Sequence, residues 1–346
     1  MNLVIAALYL LRAPNHTPKS ELMKPIWAAE RIASLHPKAL FFTSAAREEL
    51  QARSPALLAD SQSAENERTF KQAAQNPALF RQLDHRLHFD AVWLCGDPAN
   101  YRPLLQHLLE TRDWTLTYLD HTSLIFQRAP VEPWKNTSLN DIEQKFNGKD
   151  RAQFLSLAAG KLLAIGDLES AKGLLDEAVL LDKNSPEIWT QLALYDARVG
   201  HWREALAHAE QALTLSPDFV PALETKAQIL FGSKHFSAAL AAARKALEAN
   251  PQSPETLFLH AKIAHQARAF TEEIESLNKL IALAENQQRP TSGYRLYLAQ
   301  AYVANGNAPE ALVEFQKLAK ADDLTPEQRD FVKECIERIQ QTRAPM

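Results

Sequence analysis

The sequence predicts an α+β chain: a small α/β domain at the N-terminal side, then an all-α array of paired helices. Two observations carry the array. Bulky apolar residues recur in steps of 34, at Leu155, Trp189, Leu223 and Leu257. Alanine columns keep the same step: Ala159, Ala193, Ala227 and Ala261; Ala171, Ala205 and Ala239; Ala178, Ala212 and Ala246. A fixed period of this length marks a solenoid in which each unit is one supersecondary element stacked on its neighbours. A third observation carries the α/β part. Residues 1–150 lack the period and instead alternate short apolar runs with stretches of helical spacing.

Composition narrows the function classes. Hydrophobic residues make up 46% of 346, enough for a full core. Lys and Arg number 38 against 42 Asp and Glu, a formal charge of −4. Neither half carries the basic excess that phosphate backbones require, so nucleic acid is not an expected partner. The 2 cysteines, Cys95 and Cys335, lie far apart in apolar surroundings and read as reduced buried thiols. They do not fix the compartment, and the localisation stays open.

Residues 3–11 (LVIAALYLL) are apolar but fall short of the ~20 residues that a spanning helix needs. No basic segment precedes them, so a signal peptide fits poorly. They read either as a buried segment or as the end of a membrane helix that begins outside this chain, which would give membrane attachment through a missing N-terminal region. Residues 1–24 are this apolar start and a proline-containing link.

The α/β domain spans residues 25–128. A helix is expected over 25–35, with Ile26, Ala29, Ile32 and Ala33 on one face, and a buried strand over 39–42 (ALFF). Residues 45–51 suit a helical turn. Residues 59–68 are polar and are expected to form a loop. A helix near 77–83 follows, then a buried strand at 89–95 (FDAVWLC). The next helix, 102–111, has Leu104, Leu105, Leu108 and Leu109 as its apolar face. Strands at 114–119 and 123–127, joined by Asp120-His121-Thr122, read as a hairpin. Residues 129–150, with Pro130, Pro133 and Gly148, form a linker that includes a short helix at 139–146.

The second unit of the array, PEIWTQLALYDARVGHWREALAHAEQALTLSPDF, places Trp189, Leu192, Ala193, Gly200, Trp202, Ala205, Ala209, Ala212 and Pro217 in register with a known pattern. It resembles the tetratricopeptide repeat. The resemblance implies an all-α tetratricopeptide-repeat solenoid of about five repeats over 151–322. Units begin near Ala152, Pro186, Val220 and Pro254. A fifth, near Pro290, is displaced by four residues. In the fourth, Glu273 and Leu280 replace the expected alanines, which predicts a looser crossing. A C-terminal capping helix within 323–346 carries an apolar stripe of Phe331, Val332, Cys335, Ile336 and Ile339.

A second resemblance lies in the first half. The runs PIWAAERIASLHPKALFFTS, FDAVWLC and WTLTYLDHTSLIFQR resemble the soluble segment after the membrane region of bacterial dolichyl-phosphate-mannose-type glycosyltransferases. The matching positions in the last run are Trp114, Leu116, Tyr118, Asp120, Leu124, Phe126 and Arg128. The catalytic acids of that family lie in the membrane region, so no catalytic residue carries over.

The tetratricopeptide pattern implies an inner groove formed by the first helix of each unit. Its exposed positions would be Thr190, Leu194 and Arg198; Glu224, Gln228 and Phe231; Phe258, Lys262 and His265; and Leu296 and Gln300. This mixture suits a peptide or helix of a partner protein that the sequence does not identify. No cofactor is implied. His85 and His88 stand near Asp84 and Asp90 without a further His or Cys cluster, and a solvated helix end explains them better than a metal site. The resulting expectation is a non-enzymatic interaction scaffold. The alternative is the soluble C-terminal part of a membrane glycosyltransferase-like protein.

Overall fold

A computed structural model describes residues 26–35, 37, 39–43, 46, 64–96, 98–133, 146–286, 290–321, 324 and 326–343. The apolar start at 3–11, most of the turn expected at 45–51 and all but the last residue of the helix expected at 139–146 lie outside these residues. Among the described residues no helix is long and apolar enough to cross a membrane. The chain divides into two units, Met1–Leu215 and Ser216–Met346.

The first unit opens with α1 (Ile26–Leu35), β1 (Leu40–Phe42), α2 (Ala64–Gln75), α3 (Pro77–Leu87), β2 (Ala91–Cys95), α4 (Arg102–Glu110), β3 (Trp114–Leu119) and β4 (Ser123–Arg128). The four strands form one sheet in the order β1-β2-β4-β3. β1 runs parallel to β2, and β4 is antiparallel to both β2 and β3. The central strand β2 is buried along its whole length, which is why it reads as an unbroken apolar run. Phe41, Phe70, Phe80 and Phe89 form an aromatic cluster, with the Phe41 ring 4.6 Å from Phe70 and 5.2 Å from Phe80.

α2 corrects the expectation of a polar loop over 59–68 at its residues 64–68; residues 59–63 lie outside the described residues. Its polar residues mislead, but Phe70, Ala73 and Ala74 fall on one face and are buried. α3 starts where Asn76 caps the amides of Ala78 and Leu79 ahead of Pro77.

The β3–β4 hairpin turns on Asp120, which is fully buried. Its Oδ1 accepts from the amides of Thr122 (2.7 Å) and Ser123 (2.8 Å), and its Oδ2 accepts from the Tyr118 hydroxyl (2.8 Å). Buried carboxylates are tolerated when satisfied in this way. Burial, reinforced by the Asp120 carboxylate, pushes the Tyr118 phenol up.

Two helical hairpins complete the first unit: α5 (Gly148–Ile165) with α6 (Leu168–Leu181), and α7 (Pro186–Val199) with α8 (Trp202–Leu215). The α/β layer packs directly on α5. The His121 ring lies 4.8 Å from Phe154, and Lys161 Nζ donates to the Gly96 carbonyl and to the Tyr101 hydroxyl. Cys95, beside this junction, is buried, and desolvation raises its thiol to about 11.

The second unit holds three hairpins and a last helix. They are α9 (Val220–Gly232) with α10 (Phe236–Ala249), α11 (Pro254–Gln266) with α12 (Phe270–Asn286), α13 (Ser292–Ala304) with α14 (Ala308–Leu318), and α15 (Pro326–Arg343). The alanine columns are the crossings. Ala205, Ala212, Ala239 and Ala246 have no exposed surface, because larger side chains there would force the backbones apart. In α15, Val332 and Ile339 pack on Phe315 and Leu318, with Cys335 half-buried beside them. Phe331 does not join that stripe. It is 41% exposed, since it sits one residue, and so about 100° of helix, from Val332.

A further column closes the first helices. Gly166, Gly200, Lys234 and Arg268 follow the step of 34, and all four adopt left-handed backbone, with φ of 87°, 87°, 65° and 58°. Glycine does so freely, whereas a side chain makes it costly by ~1–2 kcal/mol. Arg268 is exposed and forms no ion pair among the described residues. Arg268→Gly is therefore expected to stabilise the second unit by ~1 kcal/mol in urea unfolding followed by circular dichroism. Gly200→Ala, at a position with open space around the added methyl, should destabilise by a similar amount through backbone strain alone.

Candidate functional site

The second unit carries a cavity of ≈ 270 Å³ on the faces of its first helices. Phe231 of α9, Phe258, Lys262 and His265 of α11, and Gln300 of α13 line it, all positions that the repeat register selects. Ala261, Gln266, Glu273, Leu277 and Tyr297 complete the wall. Phe258 is its aromatic centre, with ring centroids 5.7 Å from Tyr294 and 5.5 Å from Tyr297.

Two charged groups in the wall behave differently. Glu273 occupies the alanine column of the fourth repeat and is only 3% exposed. Both its carboxylate oxygens face His265 Nδ1, at 3.1 and 3.0 Å. Burial raises its pKa, and the His265 contact opposes that rise. Lys262 has no such partner. Its ammonium lies 5.5 Å from the Phe258 ring centroid and meets no carboxylate among the described residues. Burial alone pushes its pKa down. A cation–π contact of this kind supplies only about 0.5–1 kcal/mol, so Lys262 is a partly buried cation that no described carboxylate balances.

Other predicted groove residues are placed elsewhere, and three are not exposed. Thr190 is buried and returns its hydroxyl to the Pro186 carbonyl at 2.7 Å. Leu194 is 7% exposed. Glu224 is buried, and its carboxylate accepts from Thr256 Oγ1 of the following hairpin, a tie between α9 and α11. Leu296 turns toward Ala299 and Phe315, and its neighbour Tyr297 takes the cavity position. Gln228 is half-buried and does not line the cavity.

In the first unit, Arg198 is half-buried. Its Nη1 is buried without a hydrogen-bond partner, and desolvation lowers its pKa. His85 and His88 end α3, where His88 adopts left-handed backbone as the C-cap. The nearby acids are already engaged: Asp84 with Arg128 and the Phe89 amide, Asp90 with the Ala39 amide.

α11, which presents Phe258 and Lys262, is fixed from behind. His260 is 4% exposed, and its Nδ1 is 2.9 Å from Ser276 Oγ of α12. Its Nε2 lies 3.4 Å from Glu272, whose carboxylate is in turn held by both arms of Arg244 from α10, at 2.8 and 2.6 Å. This arrangement can hold and orient a ligand. Its polar groups are a cation, two amides and an acid–imidazole pair, with aromatic rings between them.

The fold and this cavity define a helical-repeat protein whose first-helix faces form a lined recess. Residues 198–272 match the family model described as Tetratricopeptide repeat. A search of curated proteins gave no match. Among solved structures, the chain is similar to MamA residues 41-end from Desulfovibrio magneticus RS-1, at 19% identity over 57% of this chain and 100% of that one, with a TM-score of 0.43. It is also similar to TTC0263, a thermophilic TPR protein of Thermus thermophilus, at 18% identity over 54% of this chain and 99% of that one, TM-score 0.39. A third is YrrB, described as a TPR protein with an unusual peptide-binding site, at 16% identity over 56% and 96%, TM-score 0.44. The resemblance of residues 25–128 to a glycosyltransferase segment receives no support from these comparisons.

Burial lowers the pKa of His260 below its ordinary 6.5, and the Glu272 carboxylate offsets this only in part. The unfolded chain therefore takes up the proton first. The contribution of His260 to stability is complete above about pH 6.5 and is lost as pH falls toward the lowered folded value, at no more than about 1.4 kcal/mol per pH unit. Urea unfolding of wild type and His260→Gln between these limits should show this component of the slope in wild type and not in the variant.

Proposed function

We propose that this chain is a non-enzymatic interaction scaffold, and that the face made by α9, α11 and α13 receives a segment of a partner protein. The observation that carries this reading is the cavity itself. Its wall collects Phe231, Phe258, Lys262, His265 and Gln300, which the repeat spacing brings onto one face. Aromatic side chains presented by rigid helices suit an extended or helical segment, because they offer large contact area at small entropic cost.

The groove is shorter in residues than the register implies, since Thr190, Leu194 and Glu224 are buried within the repeats. Its working part is the aromatic recess of the second unit. Binding here depends on a few anchor contacts, and truncating one should cost ~2 kcal/mol or more.

The test is a selection of displayed peptides on the wild-type protein, followed by fluorescence anisotropy of the selected sequences. Phe258→Ala and Tyr297→Ala should each weaken binding by more than about tenfold while leaving the helical circular dichroism unchanged. Val313→Ala, at an exposed residue outside the recess, should have no effect. Selected peptides that bind Phe258→Ala and Tyr297→Ala as tightly as wild type would locate the interaction elsewhere and contradict the reading.

A further inference from the structure

The aromatic recess also indicates what kind of segment it takes. We infer that its ligand carries a carboxylate beside an apolar side chain, with the carboxylate on Lys262 and the apolar group between Phe231, Phe258 and Tyr297. This inference rests on the recess being the binding face.

A side-chain ammonium is costly to desolvate unless a counter-charge or hydrogen-bond acceptor meets it. Lys262 lies in the cavity wall with only an aromatic face beneath it. No acid perturbs it, and burial is the sole cause of its lowered pKa. The one buried acid in the same wall, Glu273, is already committed, with both oxygens on His265. A cationic ligand would therefore meet an uncompensated ammonium and a satisfied carboxylate. An anionic ligand meets the one group whose charge is open.

The first unit shows the same bias on its own. Arg198, at a first-helix position that the register also assigns to the inner face, is desolvated and leaves Nη1 without a partner. Three other arginines of the array are neutralised by acids: Arg151 by Glu177, Arg244 by Glu272, and Arg295 by Glu285 and Glu314. Arg198 and Lys262 share inner-face positions of the register, and in both burial is the only cause acting on the charge. That distribution suits an acidic segment.

The experiment uses the full chain and three fluorescein-labelled peptides of equal length, each acetylated and amidated at its ends. Each has one central Phe, flanked by Glu, by Gln or by Lys in a Ser-Gly frame. The amidated end removes the terminal carboxylate, so any preference for acid comes from side chains. The Glu peptide should bind best by about tenfold. Lys262→Met should abolish that advantage without weakening the Gln peptide, and Lys262→Glu should transfer the preference to the Lys peptide. Thermal melts check that both variants fold. Equal binding of all three peptides, lost in Phe258→Ala, would keep the groove and overturn the acidic ligand. Preferential binding of the Lys peptide by wild type would overturn the acidic ligand outright. Binding of none of them would count against the recess as a peptide site and against this inference together.

Discussion

The close approach of paired helices at their alanine crossings is the constraint on which the rest depends. Ala171 and Ala178, Ala205 and Ala212, and Ala239 and Ala246 lie where two helices meet, and none has exposed surface. Each methyl sets a short interaxial distance, so within each unit successive first helices face the same way. The side chains on those helices then need only the step of 34 to fall beside one another. Phe231, Phe258 and Lys262 come from separate parts of the sequence, yet they share one recess because the crossings behind them are uniform.

The exception to that uniformity contributes to the site. Glu273 stands where the other repeats keep a small residue, and its carboxylate reaches His265 rather than water. An acid at a helix crossing is tolerated only when it is hydrogen-bonded, and Glu273 finds its partner in His265 on α11, the other helix of its own hairpin. Leu280 fills the next crossing position and is 1% exposed. The substitution that interrupts the repeat pattern therefore lines the cavity, and it leaves Lys262 as the open charge.

Much of this was legible in the sequence, for reasons that differ by region. The repeat half keeps its step of 34 through four units, so the starts of α7, α9 and α11, the crossings and the glycine that closes α7 at Gly200 could be read directly. The sheet was legible because β2 is apolar throughout and because Asp120 caps the hairpin from within its own turn. The helix at Ala64–Gln75 was not, since its polar residues dominate the composition and its core face shows only in Phe70, Ala73 and Ala74 near its end. Within the site, the register identified five wall positions but could not show that Thr190 bonds back to its own helix or that Glu224 ties α9 to α11. Nor could it choose Tyr297 over Leu296, because the fifth repeat is displaced and a shift of one residue turns a side chain by about 100°. The departure from alanine at Glu273 was visible. Its pairing with His265 was not, because spacing alone does not say where a buried carboxylate finds its donor.

A crystal structure of the protein bound to a selected peptide decides whether the aromatic recess is the binding face. The peptide should appear between α9, α11 and α13, with an apolar side chain against Phe258 and Tyr297 and a carboxylate within hydrogen-bond reach of Lys262 Nζ. A peptide seated on the second helices of the hairpins, or on the sheet of the first unit, would contradict it.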